Sequence, residues 1–329
     1  MPDASSIDGD VVTFRLTDPE KQLTTVRLWT DLDLPLDRDF LPTPAGWELS
    51  LRGLPLDRIE YLFEVDDELV TDPGNPLLVG GAFGDHSWLP LAGYTEPGWA
   101  AVEPVEGQRT PLPTGELWAP AGLPPEVPLP LLISHDGPEM DAYGRLTHYV
   151  GALIASGRFP PMRVALLAPG ERNPEYAANP EYAARLVEEV VPAITTAWAT
   201  DRPPVLMGQS LGAVAALHAA WTHPGTFAGL FLQSGSFFTP DLDPQESKFE
   251  HFPEITAFVE EVHDLPGRLT AGGIGLVCGT AEENLANNRL MARSLEGARW
   301  GQVRDGHNWT CWRDLLDPHL TDLLASVWS

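Results

Sequence analysis

The sequence predicts an α/β chain: a mainly parallel sheet covered on both faces by helices, preceded by a small antiparallel β domain. Three observations predict it. Up to about residue 100, short β-like runs are separated by turn residues, with Pro and Asp prominent among them. From about residue 116 strand-like and helix-like segments alternate, which is the pattern of parallel strands joined by crossover helices. Inside that second part, the apolar run Val205-Leu206-Met207 enters Gly208-Gln209-Ser210-Leu211-Gly212 and leaves as an alanine-rich helical segment.

The chain has 329 residues, long for one compact domain and comfortable for two. Hydrophobic residues make up 43% and charged residues 20%, as in an ordinary globular protein with ample core. The first ten residues are polar and acidic, unlike a secretory signal, and no later apolar run has the length of a membrane span. A soluble, cytoplasmic protein is therefore expected. Cys278 and Cys311 are too few for a disulfide framework and lack metal-site spacing, so free thiols and no metal are expected. The formal charge of −27 argues against nucleic acid or anionic membrane surfaces as partners. Positive charge is nearly all arginine, with lysine only at Lys21 and Lys248, which suits local recognition of planar anions. Nothing in the sequence sets an oligomeric state.

In the first part, residues 11–16, 25–29, 47–51 and 59–65 read as strands of a small antiparallel sandwich, followed by a turn cluster at 71–76 and a strand-like run at 87–91. Trp29, Trp47, Trp88 and Trp99 are expected mainly to fill its core, with ligand stacking as the alternative. The predicted domains are 1–100 for the β-sandwich, 101–115 for a linker rich in Pro, Gly and Glu, and 116–329 for the α/β part. Strands are expected near Leu117 and at 129–134, 164–167, 205–207, 230–233, 274–278 and 300–303. Helices are expected at 143–155, 180–198, 211–222, 253–263, 284–295 and 312–325.

A Gly-x-Ser-x-Gly turn between a strand and a helix is a nucleophile elbow. A serine hydroxyl is a weak nucleophile and must be presented to a base clear of its own backbone, so it sits at the tip of a sharp reversal. Gly208 and Gly212 flank Ser210 because side chains there would collide as the chain turns. The N–H of Leu211, at the start of the helix, is the expected oxyanion donor. A glycine-rich structural turn with a bystander serine is the competing reading.

In α/β-hydrolases the remaining groups follow in the order Ser, acid, His. His307, just past the last expected strand, is the candidate base. Glu282, after the strand ending at Cys278, is the candidate acid, with Glu283 second; either could instead cap the following helix. The second oxyanion donor should come from the loop 135–140, with Gly137 the candidate. Arg172 is placed to pair with an anionic ligand, and Tyr176 and Trp309 to offer stacking faces. A loop pinned by an Arg172–Glu175 pair is the equal alternative. His135 is expected to be a loop histidine bonded to backbone.

Residues 130–325 resemble the enterochelin (ferric enterobactin) esterase branch of the esterase D superfamily. The resemblance rests on Asp136-Gly137; Arg172-x-x-Glu175-x-x-x-Asn179 with Glu189 and Pro192; Gly208-Gln209-Ser210-x-Gly212; Gln233-Ser234-Gly235-Ser236; Gly279-x-x-Glu282; and Gly306-His307-x-x-x-Cys311-Trp312-Arg313. Tyr61-x-Phe63-x-Val65-Asp66 followed by Asp72-Pro73-x-Asn75-Pro76 is similar to the immunoglobulin-like domains that precede such enzymes. The resemblance implies an α/β-hydrolase with a mainly parallel sheet behind an immunoglobulin-like β-sandwich. It implies Ser210 as nucleophile, His307 as base and Glu282 as acid, without a cofactor, and a small-molecule ester as substrate, a ferric siderophore trilactone among them. One position departs from the family: Pro138 has no N–H where a donor usually follows Asp-Gly, so Gly137 or Glu139 must donate. An acetyl or feruloyl carbohydrate ester is the alternative substrate that the first domain favours. A non-catalytic binding protein of the same fold is the alternative that Pro138 motivates.

Overall fold

Along residues 11–14, 26–29, 49–52 and 86–90, side chains alternate between more and less buried positions with the period of a strand. The computed structural model describes residues 4–269 and 272–328; the first residues of the amino-terminal segment and the outer ends of both predicted domains lie outside them. Antiparallel strands β1 (Ser6–Asp8), β2 (Val11–Thr17), β3 (Val26–Trp29), β4 (Leu41–Pro42), β5 (Gly46–Arg52), β6 (Arg58–Val65), β7 (Glu68–Val70), β8 (Leu78–Val79) and β9 (His86–Pro90) form two sheets. Their orders are β1-β2-β5-β4 and β3-β6-β9-β8, with β7 on β6. Val12 and Phe14, Val26 and Leu28, Leu49 and Leu51, and Ile59, Tyr61 and Phe63 point into one shared core. The buried aromatic rings of that core are Phe14, Phe40, Tyr61 and Phe63. Trp29, Trp47 and Trp88, read above as core, are only partly buried, and Trp99 is buried against Tyr149 at 5.3 Å between ring centroids.

The chain divides into two compact units. One is Met1–Thr95 together with the later segments Gly279–Glu283 and Val303–Cys311; the other is Glu96–Cys278, Asn284–Gln302 and Trp312–Ser329. The presumed linker holds a strand, β10 (Gly107–Leu112), in which Gly107 allows the Trp118 indole to lie against its backbone: a Cβ there would fall 1.9 Å from Trp118 Nε1.

After β10 come β11 (Gly115–Pro120), β12 (Leu131–Ser134), β13 (Arg163–Leu167), β14 (Val205–Gln209), β15 (Gly229–Gln233), β16 (Gly273–Gly279) and β17 (Arg299–Val303). The sheet order is β10-β11-β13-β12-β14-β15-β16-β17. The β10–β11 and β11–β13 pairs are antiparallel, and β13-β12-β14-β15-β16 run parallel. Strands β12 to β15 are buried along their whole length, as expected where helices cover both faces. The helices are α1 (Gly137–Ala142), α2 (Leu146–Ala155), α3 (Arg172–Tyr176), α4 (Pro180–Arg185), α5 (Val191–Ala197), α6 (Leu211–Thr222), α7 (Phe252–Asp264), α8 (Leu285–Ser294), α9 (Trp309–Asp314) and α10 (Thr321–Trp328). The helix expected over 180–198 carries a π turn at Leu186–Val190, just before Pro192, whose missing N–H cannot complete a regular ladder. No helix among the described residues is long and apolar enough to cross a membrane. Because β12, β14 and β16 run in one direction, their carboxyl ends leave the sheet by one edge, where ligands bind in open α/β sheets.

Candidate active site

Ser210 follows β14 with φ 55° and ψ −124°, a backbone conformation that side-chain-bearing residues rarely adopt. The turn is tight enough that a Cβ on Gly208 would fall 2.1 Å from the Gly212 carbonyl oxygen. Ser210 N–H donates to the Gln233 carbonyl at 2.9 Å, and its own carbonyl accepts from Ala213 at 3.1 Å and from Ser236 at 3.2 Å. Its Oγ lies 3.2 Å from Ser236 Oγ and is partly exposed. Leu211 opens α6, whose first N–H groups have no partner within the helix.

The loop after β12 approaches another strand closely. A Cβ on Gly137 would fall 2.3 Å from Leu166 Cα, so only glycine fits. Asp136, in the left-handed region at φ 43°, precedes it, and Gly137 begins α1 with Pro138 next. Asp136 is buried and receives both arms of Arg172, at 2.8 and 2.7 Å. The Tyr176 hydroxyl accepts from Asp136 N–H at 3.3 Å, and Tyr176 is fully buried. Arg172 and Tyr176, singled out above as ligand contacts, thus clasp the 135–137 loop: the fork of Arg172 is engaged and the ring of Tyr176 has no exposed face. Glu175 pairs with Arg185 at 2.5 Å rather than with Arg172. His135 is buried against Tyr176 and Tyr182, and among the described residues neither ring nitrogen has a hydrogen-bond partner. Burial pushes its pKa down to about 3, so it stays neutral.

The second group of candidates lies in the unit that contains β1 to β9. Glu282 is 2% exposed; its Oε1 accepts from Gly279 N–H at 2.6 Å, and its Oε2 lies 2.6 Å from His307 Nδ1. Glu283 is exposed to solvent. Burial opposes protonation of His307, but the charge and hydrogen bond of Glu282, with the charges of Asp31 and Glu283, together outweigh it and raise the pKa above the usual value. With Nδ1 held by the carboxylate, Nε2 is the nitrogen left for chemistry. Both turns are close-packed: a Cβ on Gly279 would fall 2.4 Å from the Asp305 carbonyl oxygen, and one on Gly306 would fall 2.8 Å from Leu32 Cδ2 and 3.1 Å from Asp31 Oδ1. Trp309 is partly buried at the start of α9.

Two residues in this group were not singled out from the sequence. Asp31 sits beside Gly306, and Arg58 pairs with Asp305 at 2.7 Å. In the sequence, Arg58 and Glu60 alternate with Ile59 and Tyr61 and read as the wet face of an ordinary strand. No local signal marks them otherwise. Among the described residues no group of three or more His, Cys, Asp or Glu side chains could hold a metal ion.

The model of the Esterase family, described as "Putative esterase", matches residues 113–323, more than half of the chain. The chain belongs to that family. Iron(III) enterobactin esterase from Escherichia coli K12 is 30% identical over 162 residues, which cover 46% of this chain and 38% of that protein. The match therefore spans well under half of that relative. Among solved structures, the enterobactin esterase from Shigella flexneri superimposes with TM-score 0.76 at 21% identity, covering 96% of this chain and 93% of the other. The ferric enterobactin esterase from Salmonella typhimurium gives 0.76 at 20% identity, covering 97% and 93%. A ferulic acid esterase gives 0.54 at 16% identity, covering 68% and 97%. At these identities the likeness is one of fold, and the esterase-family chain has an α/β-hydrolase-like fold with a mixed sheet.

Proposed function

We propose that this chain is a serine esterase acting through an acyl-enzyme, with Ser210 as nucleophile, His307 as general base and Glu282 as the acid that orients it. The observation that carries the reading is the 2.6 Å contact between Glu282 Oε2 and His307 Nδ1. A buried carboxylate on one imidazole nitrogen fixes the tautomer in which the other nitrogen can accept a proton. The strained backbone of Ser210, which exposes the serine at the strand end, supports the same assignment.

In this mechanism His307 Nε2 takes the proton of Ser210 Oγ as Oγ attacks the ester carbonyl carbon. The resulting oxyanion accepts hydrogen bonds from the N–H groups of Leu211 and Gly137. His307 then gives its proton to the departing alkoxide, leaving an acyl group on Ser210 Oγ. Water, deprotonated by His307, attacks the acyl carbon; the C–Oγ bond breaks, His307 returns the proton to Ser210 Oγ, and the acid leaves. Asp136, clasped by Arg172, holds the loop that carries Gly137.

The substrate class we propose is the trilactone of a catecholate siderophore, the class named for the enterobactin esterases this chain resembles, with Trp309 as a stacking face for a catechol ring. We read the β1–β9 region as an immunoglobulin-like sandwich.

The test is hydrolysis of p-nitrophenyl acetate and butyrate, methyl ferulate, iron-free enterobactin and its ferric complex by wild type and Ser210→Ala. Cleavage of the trilactone by wild type alone supports both the reaction and the substrate class. Cleavage of methyl ferulate or the activated esters alone keeps the chemistry and removes the siderophore. Activity that survives Ser210→Ala overturns the nucleophile.

A further inference from the structure

Residues 303–308, which carry His307, have little regular backbone pairing of their own. Asp305 N–H reaches the Val303 carbonyl at 3.0 Å, and the neighbouring loop joins through Ala281 N–H to the Asp305 carbonyl at 3.0 Å and Thr280 N–H to the Val303 carbonyl at 2.8 Å. Side chains do the rest. Asp305 Oδ1 accepts from Gly306 N–H at 2.7 Å and from Asn308 Nδ2 at 3.1 Å, and Asn308 Oδ1 accepts from Cys311 N–H at 2.8 Å.

One guanidinium ties this loop to strand β6. Arg58 Nε lies 2.7 Å from Asp305 Oδ2, Nη2 donates to Asn308 Oδ1 at 2.6 Å, and Nη1 donates to Glu60 Oε1 at 2.7 Å. The first two acceptors stand two residues before His307 and one residue after it. Arg58 is 1% exposed, and Glu60 and Asp305 are buried with it. Arg58, with hydrogen bonds from His86 and Thr310, outweighs burial and depresses Glu60 to about 2, so Glu60 is a carboxylate. Nearer the surface, Asp57 N–H donates to the Arg304 carbonyl at 2.8 Å, Arg304 Nε donates to Asp57 Oδ1 at 2.9 Å, and Asp33 N–H donates to the Ala281 carbonyl at 2.9 Å. A planar fork meets these groups at once, donating from Nη1 and Nη2 while Nε makes a close ionic contact with Asp305. A lysine ammonium, a point charge on a flexible stem, does not.

We propose that Arg58, from the amino-terminal sheet, is the positioning residue for His307, holding Asp305 and Asn308 so that the imidazole meets Glu282 in one orientation. The inference rests on the reading of His307 as the base. It makes the strands ahead of the hydrolase fold part of the catalytic apparatus rather than an appended module. Because a misplacement of about 1 Å at a reacting group costs on the order of a hundredfold in rate, the effect should fall on turnover.

The experiment compares wild type, Arg58→Ala, Arg58→Lys and Asp305→Asn in the full chain. Asp305→Asn keeps the side-chain size and the acceptor for Gly306, and so guards against simple failure to fold. Two readouts separate positioning from mere stability: kcat per fluorophosphonate-titrated serine, and the downfield proton resonance of the His307 Nδ1–H, assigned by its loss in His307→Gln. The charged groups facing the imidazole are Glu282, Asp31 and Glu283, and all are unchanged in these variants. The expected result is a fall in kcat per titrated site of tenfold or more in Arg58→Ala, with KM within about twofold, and a smaller fall in Arg58→Lys and Asp305→Asn. The resonance shifts or broadens in each. Unchanged kcat per site together with an unmoved resonance in folded Arg58→Ala or Asp305→Asn overturns the proposal. If His307→Gln and Ser210→Ala retain full activity, the base assignment fails instead, and the resonance still reports whether Arg58 orients the ring.

Discussion

Glu282 Oε2 lies 2.6 Å from His307 Nδ1, while Oε1 of the same carboxylate accepts from Gly279 N–H at 2.6 Å. The carboxylate is anchored at one oxygen and directs the imidazole with the other. Burial alone would lower the His307 pKa; the charge and hydrogen bond of Glu282, helped by Asp31 and Glu283, reverse the sign.

Glu282→Gln should therefore lower kcat/KM by about a thousandfold or more, the scale seen when the orienting carboxylate of such a triad becomes an amide. The acid limb of the pH profile should also move to lower pH, since the strongest opposition to burial is then gone and only Asp31 and Glu283 remain against it. A pH–rate profile on p-nitrophenyl butyrate checks both. A limb that stays in place or moves up contradicts the pairing.

The elbow stores strain that can be measured. Ser210 at φ 55° and ψ −124° carries a cost of about 1–3 kcal/mol that glycine does not. Ser210→Gly should be inactive yet more stable than Ser210→Ala by about 1 kcal/mol, after allowing for the extra chain entropy of glycine. Denaturant midpoints of the two inactive variants provide the comparison, and equal midpoints refute it.

Arg172 stands 2.7 Å from a buried Asp136, so Arg172→Ala should act on the loop rather than on ligand affinity. The pair is part exposed on the arginine side, which sets the expected loss of stability between the surface and buried limits, at about 2 kcal/mol. Turnover should fall because Gly137 follows Asp136 directly, with KM for a neutral ester little changed. A rise in KM without loss of stability would restore Arg172 as a ligand contact.

The alternation of strand and helix after residue 116, and the order of the apolar runs, made the parallel sheet legible, because strands buried on both faces leave a continuous apolar record. The β10 strand was not legible. Its Gly107-Gln108-Arg109-Thr110-Pro111-Leu112 is mostly exposed and pairs on one side only, so its composition is that of a linker. At the candidate site, local motifs pointed to Ser210, Glu282 and His307. The roles of Arg172 and Tyr176 depend instead on Asp136, which lies on a different strand end, and Arg58 reaches residues some 250 positions away, with no periodic trace.

Asp31 supplies a test in stability rather than rate. Burial, with the charges of Glu60 and Asp305 beside it, lifts its pKa from the usual 3.8 to about 7, while His307 and Arg58 pull the other way. The folded state thus holds a proton that the unfolded state releases, so stability falls as pH rises from about 4 to about 7. Asp31→Asn removes that loss. It should melt close to wild type at pH near 4 and clearly higher at pH near 8. Thermal unfolding at the two pH values decides it, and an equal Tm at the higher pH refutes it.

If the substrate is of the proposed class, the charge of −27 bears on which form of a catecholate is accepted. A ferric catecholate complex is strongly anionic and is repelled over roughly a Debye length, about 10 Å at 0.1 M salt. Arg172, the expected local attractor, is matched by Asp136 and cannot supply an unbalanced positive charge. The iron-free trilactone should therefore show the higher kcat/KM at low ionic strength. Raising salt from about 0.02 to 0.3 M should increase kcat/KM for the ferric complex several-fold while leaving the neutral ester nearly unchanged, because screening removes a repulsion only the charged substrate feels. Stopped-flow hydrolysis of both forms across that range is the measurement. A ferric-complex rate that falls with salt would mean that other cationic groups attract it, and would return the ferric complex to first place as substrate.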